Sequence, residues 1–252
     1  MSAGIKPREA GVSAVDEAGP ARRQFTATEF IGQMHRIDGW LSAADAAWFL
    51  RVDEAQQASG INGDLIEVGV WHGRGAILFH HLLRESEKVF AVDIFDLRDR
   101  EHRFFNDPAR LRANAEAFGC DDRLVPVRMD TLRDGHRLPD MLEGRPVRLA
   151  HIDGGHDYEV VRRDIEIVWR LLGKGAVLVF DDFFSPAHAG TTQAILEFLQ
   201  VTPRFVPFLI TSKKLWVCSA ASYATYFTHL KAVEAVARKT NLLGRRVLVG
   251  TG

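Results

Sequence analysis

Cysteine is nearly absent: Cys120 and Cys218 are the only two in 252 residues. That is too few for a disulfide framework, and the spacing suits no zinc site, so a reducing, cytoplasmic setting is expected. An excess of charge of either sign is missing too. Lys and Arg number 32 against 33 Asp and Glu, a formal net charge of -1. The chain therefore lacks the basic footprint of a nucleic-acid-binding domain, and no nucleic-acid partner is expected. The basic pairs Arg22 and Arg23, Lys213 and Lys214, and Arg245 and Arg246 read as solvated ends of elements. Long apolar runs are also lacking at the start of the chain. Residues 1–23 mix Lys, Arg, Asp, Glu, Gly and Pro, which fits neither a signal peptide nor a membrane anchor. Residues 1–24 are expected to form a flexible tail, with no membrane insertion. No internal repeat or low-complexity segment is visible.

What is present is ordinary globular usage, 46% apolar and 26% charged, enough for one substantial α/β domain with extra elements. Residues 26–37 are weakly amphipathic, and Ser42 opens a better helix with Asp45 placed for a cap-like pairing in its first turn. These two helices, within residues 25–60, precede the first strand and could act as a lid. From Asp64 onward, short apolar runs alternate with helical segments, the pattern of repeated βαβ units and a mainly parallel sheet. Strands are expected at 64–70, 88–93, 124–128, 147–153 and 176–181. Helices are expected near 75–84, 108–118, 158–172 and 191–200. Runs at 204–210 and 214–219 are separated by only Thr211, Ser212 and Lys213, which permits a hairpin but no parallel crossover. The sheet should thus have seven strands and end antiparallel. Residues 223–240 look helical, giving a helical extension over 221–252, with 241–252 either a short strand or disordered.

The first strand runs through Glu67, Gly69, Trp71 and Gly73 into an apolar helix, a strand-turn-helix arrangement that binds nucleoside cofactors. A dinucleotide fingerprint starting at Gly69 would need glycines where Trp71 and Arg74 stand, which weakens a dehydrogenase reading. Acidic-x-Gly-x-x-x-Gly, here Glu67, Gly69 and Gly73, resembles motif I of class I methyltransferases. An acid under the loop is compatible with a sulfonium cofactor and would repel a diphosphate. The same residues also suit a tight βα turn without ligand. Asp93, ending the second strand, is placed to accept from ribose hydroxyls, or to cap a turn. Asp130, after the third strand, is either an adenine contact or a turn residue. Trp71 could be core, cofactor wall or substrate wall.

Two later strands stop at acids, one at Asp153 and the other at Asp181 and Asp182. In a doubly wound sheet these strands are neighbours, so the three carboxylates converge at the ligand-binding edge and repel unless a cation offsets them. Hard oxygen donors select Mg²⁺, Mn²⁺ or Ca²⁺, with Mg²⁺ the first choice. The bland alternative is a set of strand-end and turn acids. His156, three residues past Asp153, can take a proton from a substrate hydroxyl near neutral pH. His72, His136, His151 and His188 have no such partner in sequence and read as surface or pocket-wall candidates. No G-x-S-x-G nucleophile elbow appears, which removes one hydrolase route.

Together, Glu67 to Gly73, Ala91 to Asp93, Ile152 to His156 and Val179 to Phe183 resemble the macrocin O-methyltransferase-like group, methyltransferase family 24, over residues 61–219. The resemblance implies a Rossmann-like class I methyltransferase core, about residues 61–220, using S-adenosylmethionine and Mg²⁺ to methylate a sugar hydroxyl. The acceptor would be a saccharide, a polysaccharide precursor or a glycosylated natural product. On the matching positions Asp153, Asp181 and Asp182 would hold the metal and His156 would be the base, with Asp182 counted as catalytic too. A catechol-type phenol acceptor, or a non-catalytic cofactor-binding partner protein, are the other readings. The extra terminal helices suggest a homodimer.

Overall fold

The computed structural model describes residues 25–96 and 106–251; the expected tail and part of the segment after the second strand lie outside them. Polar caps start the first two helices as their sequences require. Thr26 and Glu29 form a reciprocal capping box on α1 (Ala27–Gln33), and Ser42 Oγ accepts from the Asp45 amide at the start of α2 (Ala43–Ala58). The chain then alternates through β1 (Asp64–Val68), α3 (Arg74–His81), β2 (Val89–Asp93), α4 (Pro108–Ala117), β3 (Leu124–Arg128), α5 (Thr131–Asp134), α6 (Leu138–Met141), β4 (Val147–Ile152), α7 (Tyr158–Val168) and β5 (Leu172–Phe180). It continues through α8 (Ala189–Val201), β6 (Phe205–Thr211), β7 (Lys214–Ser219), α9 (Tyr223–Leu230), β8 (Val236–Leu242) and β9 (Arg245–Gly250).

One sheet holds the strands in the order β3-β2-β1-β4-β5-β7-β6-β9-β8. β1 to β5 are parallel; β7 runs antiparallel to β6, as the short connection at residues 212–213 demands, and antiparallel to β5 as well. Order reverses between β1 and β4, so the carboxyl ends of those two strands open the crevice where α/β sheets bind ligands. Helices cover both faces, which is why β1, β2 and β4 are buried along their whole length. Leu65, Leu149, Val177 and Val179 face one layer with Phe30, Trp48, Phe49 and Phe79, while Ile66, Ala150, Leu178 and Phe180 face the other with Val161, Ile165, Ile195 and Phe198.

Two expectations are corrected. The sheet has nine strands instead of seven, and the helical stretch expected over 223–240 ends at Leu230. Beyond it, β8 and β9 form a hairpin whose two loop residues, Leu243 and Gly244, have φ of 50° and 71°, the turn that matches strand twist. Val247 and Leu248 are buried, and β9 pairs parallel with β6, so burial overrides the helical propensity of the preceding residues. The N-terminal helices contribute to the core: Phe30, Trp48, Phe49 and Val52 are fully buried. Arg148 on β4, also buried, bonds Asp53 and Gln56 of α2 at 2.6 and 2.7 Å and Glu87 at 2.9 Å, clamping α2 to the sheet.

Candidate active site

The loop after β1 is shaped by what it must pass. Gly69 has φ +85°, and a Cβ there would stand 2.0 Å from the Asp153 carbonyl oxygen, so only glycine allows the β1 and β4 ends to lie this close. The Asp153 amide donates to the Val68 carbonyl at 2.7 Å, closing that contact. Gly73 then N-caps α3. Glu67 is buried, and its carboxylate packs against the first turn of α3 at Gly75, where the partial positive charge of a helix N-terminus favours an anion. Its Oε1 meets His151 Nδ1 at 3.0 Å, whereas the buried Oε2 has no hydrogen-bond partner. An unpartnered buried acceptor costs about 1–3 kcal/mol, so this atom is suited to receive a donor from a bound group.

Asp93 is placed at the expected strand end, but its carboxylate is already engaged. Oδ2 accepts from the amides of Val70 and Trp71 at 2.7 and 3.1 Å, and Oδ1 from the Phe95 amide and Asn106 Nδ2, both at 2.8 Å. Four donors fill the capacity of a carboxylate, so Asp93 staples the β1 loop to β2. A ribose hydroxyl reaches it only by replacing one of them. Asp130 acts as the N-cap of α5, its side chain accepting from the Leu132 amide. Trp71 lies in the loop with φ 52°, stacked on His72 at 4.5 Å and 5.3 Å from the exposed Trp40.

The three acids do not share one centre. Asp153 and Asp181 come together with His151, their ligand atoms all within 4.8 Å, whereas Asp182 groups with His156 and His188. Asp182 takes φ 52°, in the left-handed region, just past the end of β5. Burial and then the charge of Asp181 push the Asp153 carboxyl well up from the usual range. Burial works the same way on Asp181, yet Lys214 and His151 outweigh it and hold Asp181 down at about 2. A cavity of about 10 Å³, bounded by Asp153, His156 and Asp181 among others, has room for one water or one ion.

His156 Nε2 sits 3.1 Å from Asp182 Oδ2, and its ring stacks on that of His188 at 3.9 Å. Burial and then His188 lower its pKa against the opposing pull of Asp182. His188 is thus part of the site rather than an isolated surface residue.

Lys214 escaped sequence reasoning, and His151, read as a surface or pocket-wall candidate, has a more central place. His151 is 1% exposed and bridges Glu67 to Lys214, whose Nζ lies 3.3 Å from His151 Nε2 and donates to Asp181 Oδ2. Lys214, read with Lys213 as a solvated end, is 2% exposed. Strand alternation could have revealed His151, since it shares a face with Asp153 two residues on.

Strand order, crevice and motif I loop define a class I methyltransferase fold. Residues 66–183 match the Methyltransf_24 model, which is described as a methyltransferase domain. It is 28% identical over 151 residues to the 8-demethyl-8-(2,3-dimethoxy-alpha-L-rhamnosyl)-tetracenomycin-C 4'-O-methyltransferase of Streptomyces olivaceus, covering 52% of this chain and 56% of that one. The chain spans about half the length of the curated relatives it matches, 56% and 50%. Among solved structures, CalS11, a TDP-rhamnose 3'-O-methyltransferase of calicheamicin biosynthesis, superposes with TM-score 0.54 at 18% identity, over 75% of this chain and 93% of that one. MycE of mycinamycin biosynthesis, in complex with Mg and SAH, does so with TM-score 0.53 at 14% identity, over 79% and 55%. Among the described residues no helix is long and apolar enough to cross a membrane.

Proposed function

We propose that the protein transfers a methyl group from S-adenosylmethionine to a hydroxyl of a sugar, free or on a glycosylated natural product, with Mg²⁺ at the strand-end acids. The observation that carries this reading is the meeting of Glu67, Asp153, Asp181 and His156 at the sheet's switch point. The glycoside-directed names of the relatives support the acceptor class.

S-adenosylmethionine fits the β1 loop: Glu67 Oε2 offers a buried acceptor to its ammonium group, and Gly69, Trp71 and Gly73 would line it. Asp93 would meet the ribose by exchanging Asn106, the one side chain among its four donors, and Asp130 would stand near the adenine. The bound cofactor supplies an electrophilic methyl group. Mg²⁺ fits as well. Asp153 and Asp181 provide hard oxygens whose mutual repulsion a cation relieves, and Asp182 would join through Oδ1 while its Oδ2 stays on His156. The metal supplies Lewis acidity toward a hydroxyl.

The residues of the chain do the rest. With Nε2-H donated to Asp182, His156 presents Nδ1 to accept the acceptor hydroxyl's proton. Its lowered pKa keeps the ring neutral, as a base must be. Trp40, 77% exposed beside Trp71, offers an apolar face for the flat side of a pyranose. A label-transfer screen from methyl-labelled S-adenosylmethionine tests the reading over nucleotide-activated deoxysugars, glycosides and catechols. Labelled sugar ethers are expected; label on catechol alone would move the acceptor class to phenols.

A further inference from the structure

We propose that Lys214 is a built-in counter-cation of the Asp153 and Asp181 pair, which a divalent ion must compete with, and a positioning residue for His151. The proposal rests on the metal reading above.

The placement follows from register. β5 and β7 pair with Val179 opposite Trp216 and Phe180 opposite Leu215, so the next antiparallel pair sets Lys214 against Asp181. Lys214 Nζ donates to Asp181 Oδ2 and stands 3.3 Å from His151 Nε2, with its side chain 3% exposed. Lysine is almost never fully buried unless paired. The ammonium touches one carboxylate, Asp181, and the His151 ring, and the charge of Asp153 also acts on it.

Two consequences follow. Asp153 and Asp181 are partly charge-balanced before any metal arrives, and an entering divalent ion meets the ammonium at short range. By donating to His151 Nε2, Lys214 also fixes the tautomer, so that His151 Nδ1-H donates to Glu67 Oε1. Glu67 then keeps Oε2 open toward the β1 loop.

The test uses the whole protein and Mn²⁺ alone, with free Mn²⁺ read by electron paramagnetic resonance in the absence of cofactor and acceptor. Lys214→Met is expected to bind Mn²⁺ at least tenfold more tightly than the natural protein, and Lys214→Arg within about threefold of it. Melting of Lys214→Met without metal should occur at lower temperature and recover on adding Mn²⁺. Lys214→Gln, which keeps a donor but no charge, carries the same expectation if the Met variant does not fold. Mn²⁺ affinity that is unchanged or weaker in the folded uncharged variant would overturn the proposal. Methyl transfer at full rate in EDTA would instead defeat the metal reading, so the two failures are distinguishable.

Discussion

Gly75 and Glu67 fit together with no space to spare: a Cβ on Gly75 would lie 1.9 Å from Glu67 Oε1. Alanine in a helix interior usually gains about 1 kcal/mol over glycine. Overpacking against a buried carboxylate costs about 1–3 kcal/mol and should win. Gly75→Ala is therefore expected to lower the melting temperature by several degrees and to weaken S-adenosylhomocysteine binding by calorimetry. A higher melting temperature would show that Glu67 moves aside freely.

Asp164, buried on α7 beside Thr131, has its carboxyl pushed up to about 7, burial being the largest cause. The folded protein thus keeps this proton to near neutrality, while the unfolded chain releases it near pH 4. Stability should fall as pH rises through that window and stay reduced above it. Asp164→Asn removes the titration, so it should raise the melting temperature at pH 8 and change little at pH 4. At roughly 1.4 kcal/mol per pH unit, the gain is at most about 4 kcal/mol. Equal effects at both pH values would contradict this account.

His188 lowers the pKa of His156, second only to burial. The base is active when neutral, so the acidic limb of the kcat/KM profile should lie below the ordinary histidine range. In His188→Ala that limb should move to higher pH, with modest loss of rate at pH 8. His156→Ala should lose about 10²- to 10⁴-fold in kcat while still binding cofactor. An unmoved limb would remove His188 from the site.

The C-terminal hairpin is expected to be integral. Leu248 on β9 is fully buried, and Trp48 Nε1 donates to the Thr251 carbonyl at 3.1 Å. Leu248→Ala should cost about 2–5 kcal/mol in denaturant unfolding. A cost under 1 kcal/mol would mean that the hairpin packs only loosely.

Legibility follows from how local each signal is. Glu67, Gly69, Asp153 and Asp181 stand where apolar strands stop, and strand ends at a switch point are readable from period and order alone. Lys214 depends on the pairing of β7 with β5, a long-range register that no local pattern encodes, so the Lys213 and Lys214 pair resembled any exposed basic end. The grouping of Asp182 with His156 and His188 rather than with Asp181 depends on loop geometry after β5, where Asp182 has φ 52°, and residue type permits this without dictating it. Residues 223–240 contain good helix formers, and only the two-residue turn at Leu243 and Gly244 hinted at the hairpin.

The central claim is methyl transfer carried by the acids at the ends of β4 and β5. It is tested most directly by the rate of label transfer from methyl-labelled S-adenosylmethionine to a sugar acceptor with Mg²⁺, comparing the natural protein with Asp153→Asn. Losing several kcal/mol of transition-state stabilisation corresponds to about a hundredfold or more in rate. Asp153→Asn should show that loss while its cofactor affinity stays within about threefold. Transfer by Asp153→Asn at the natural rate would contradict the account.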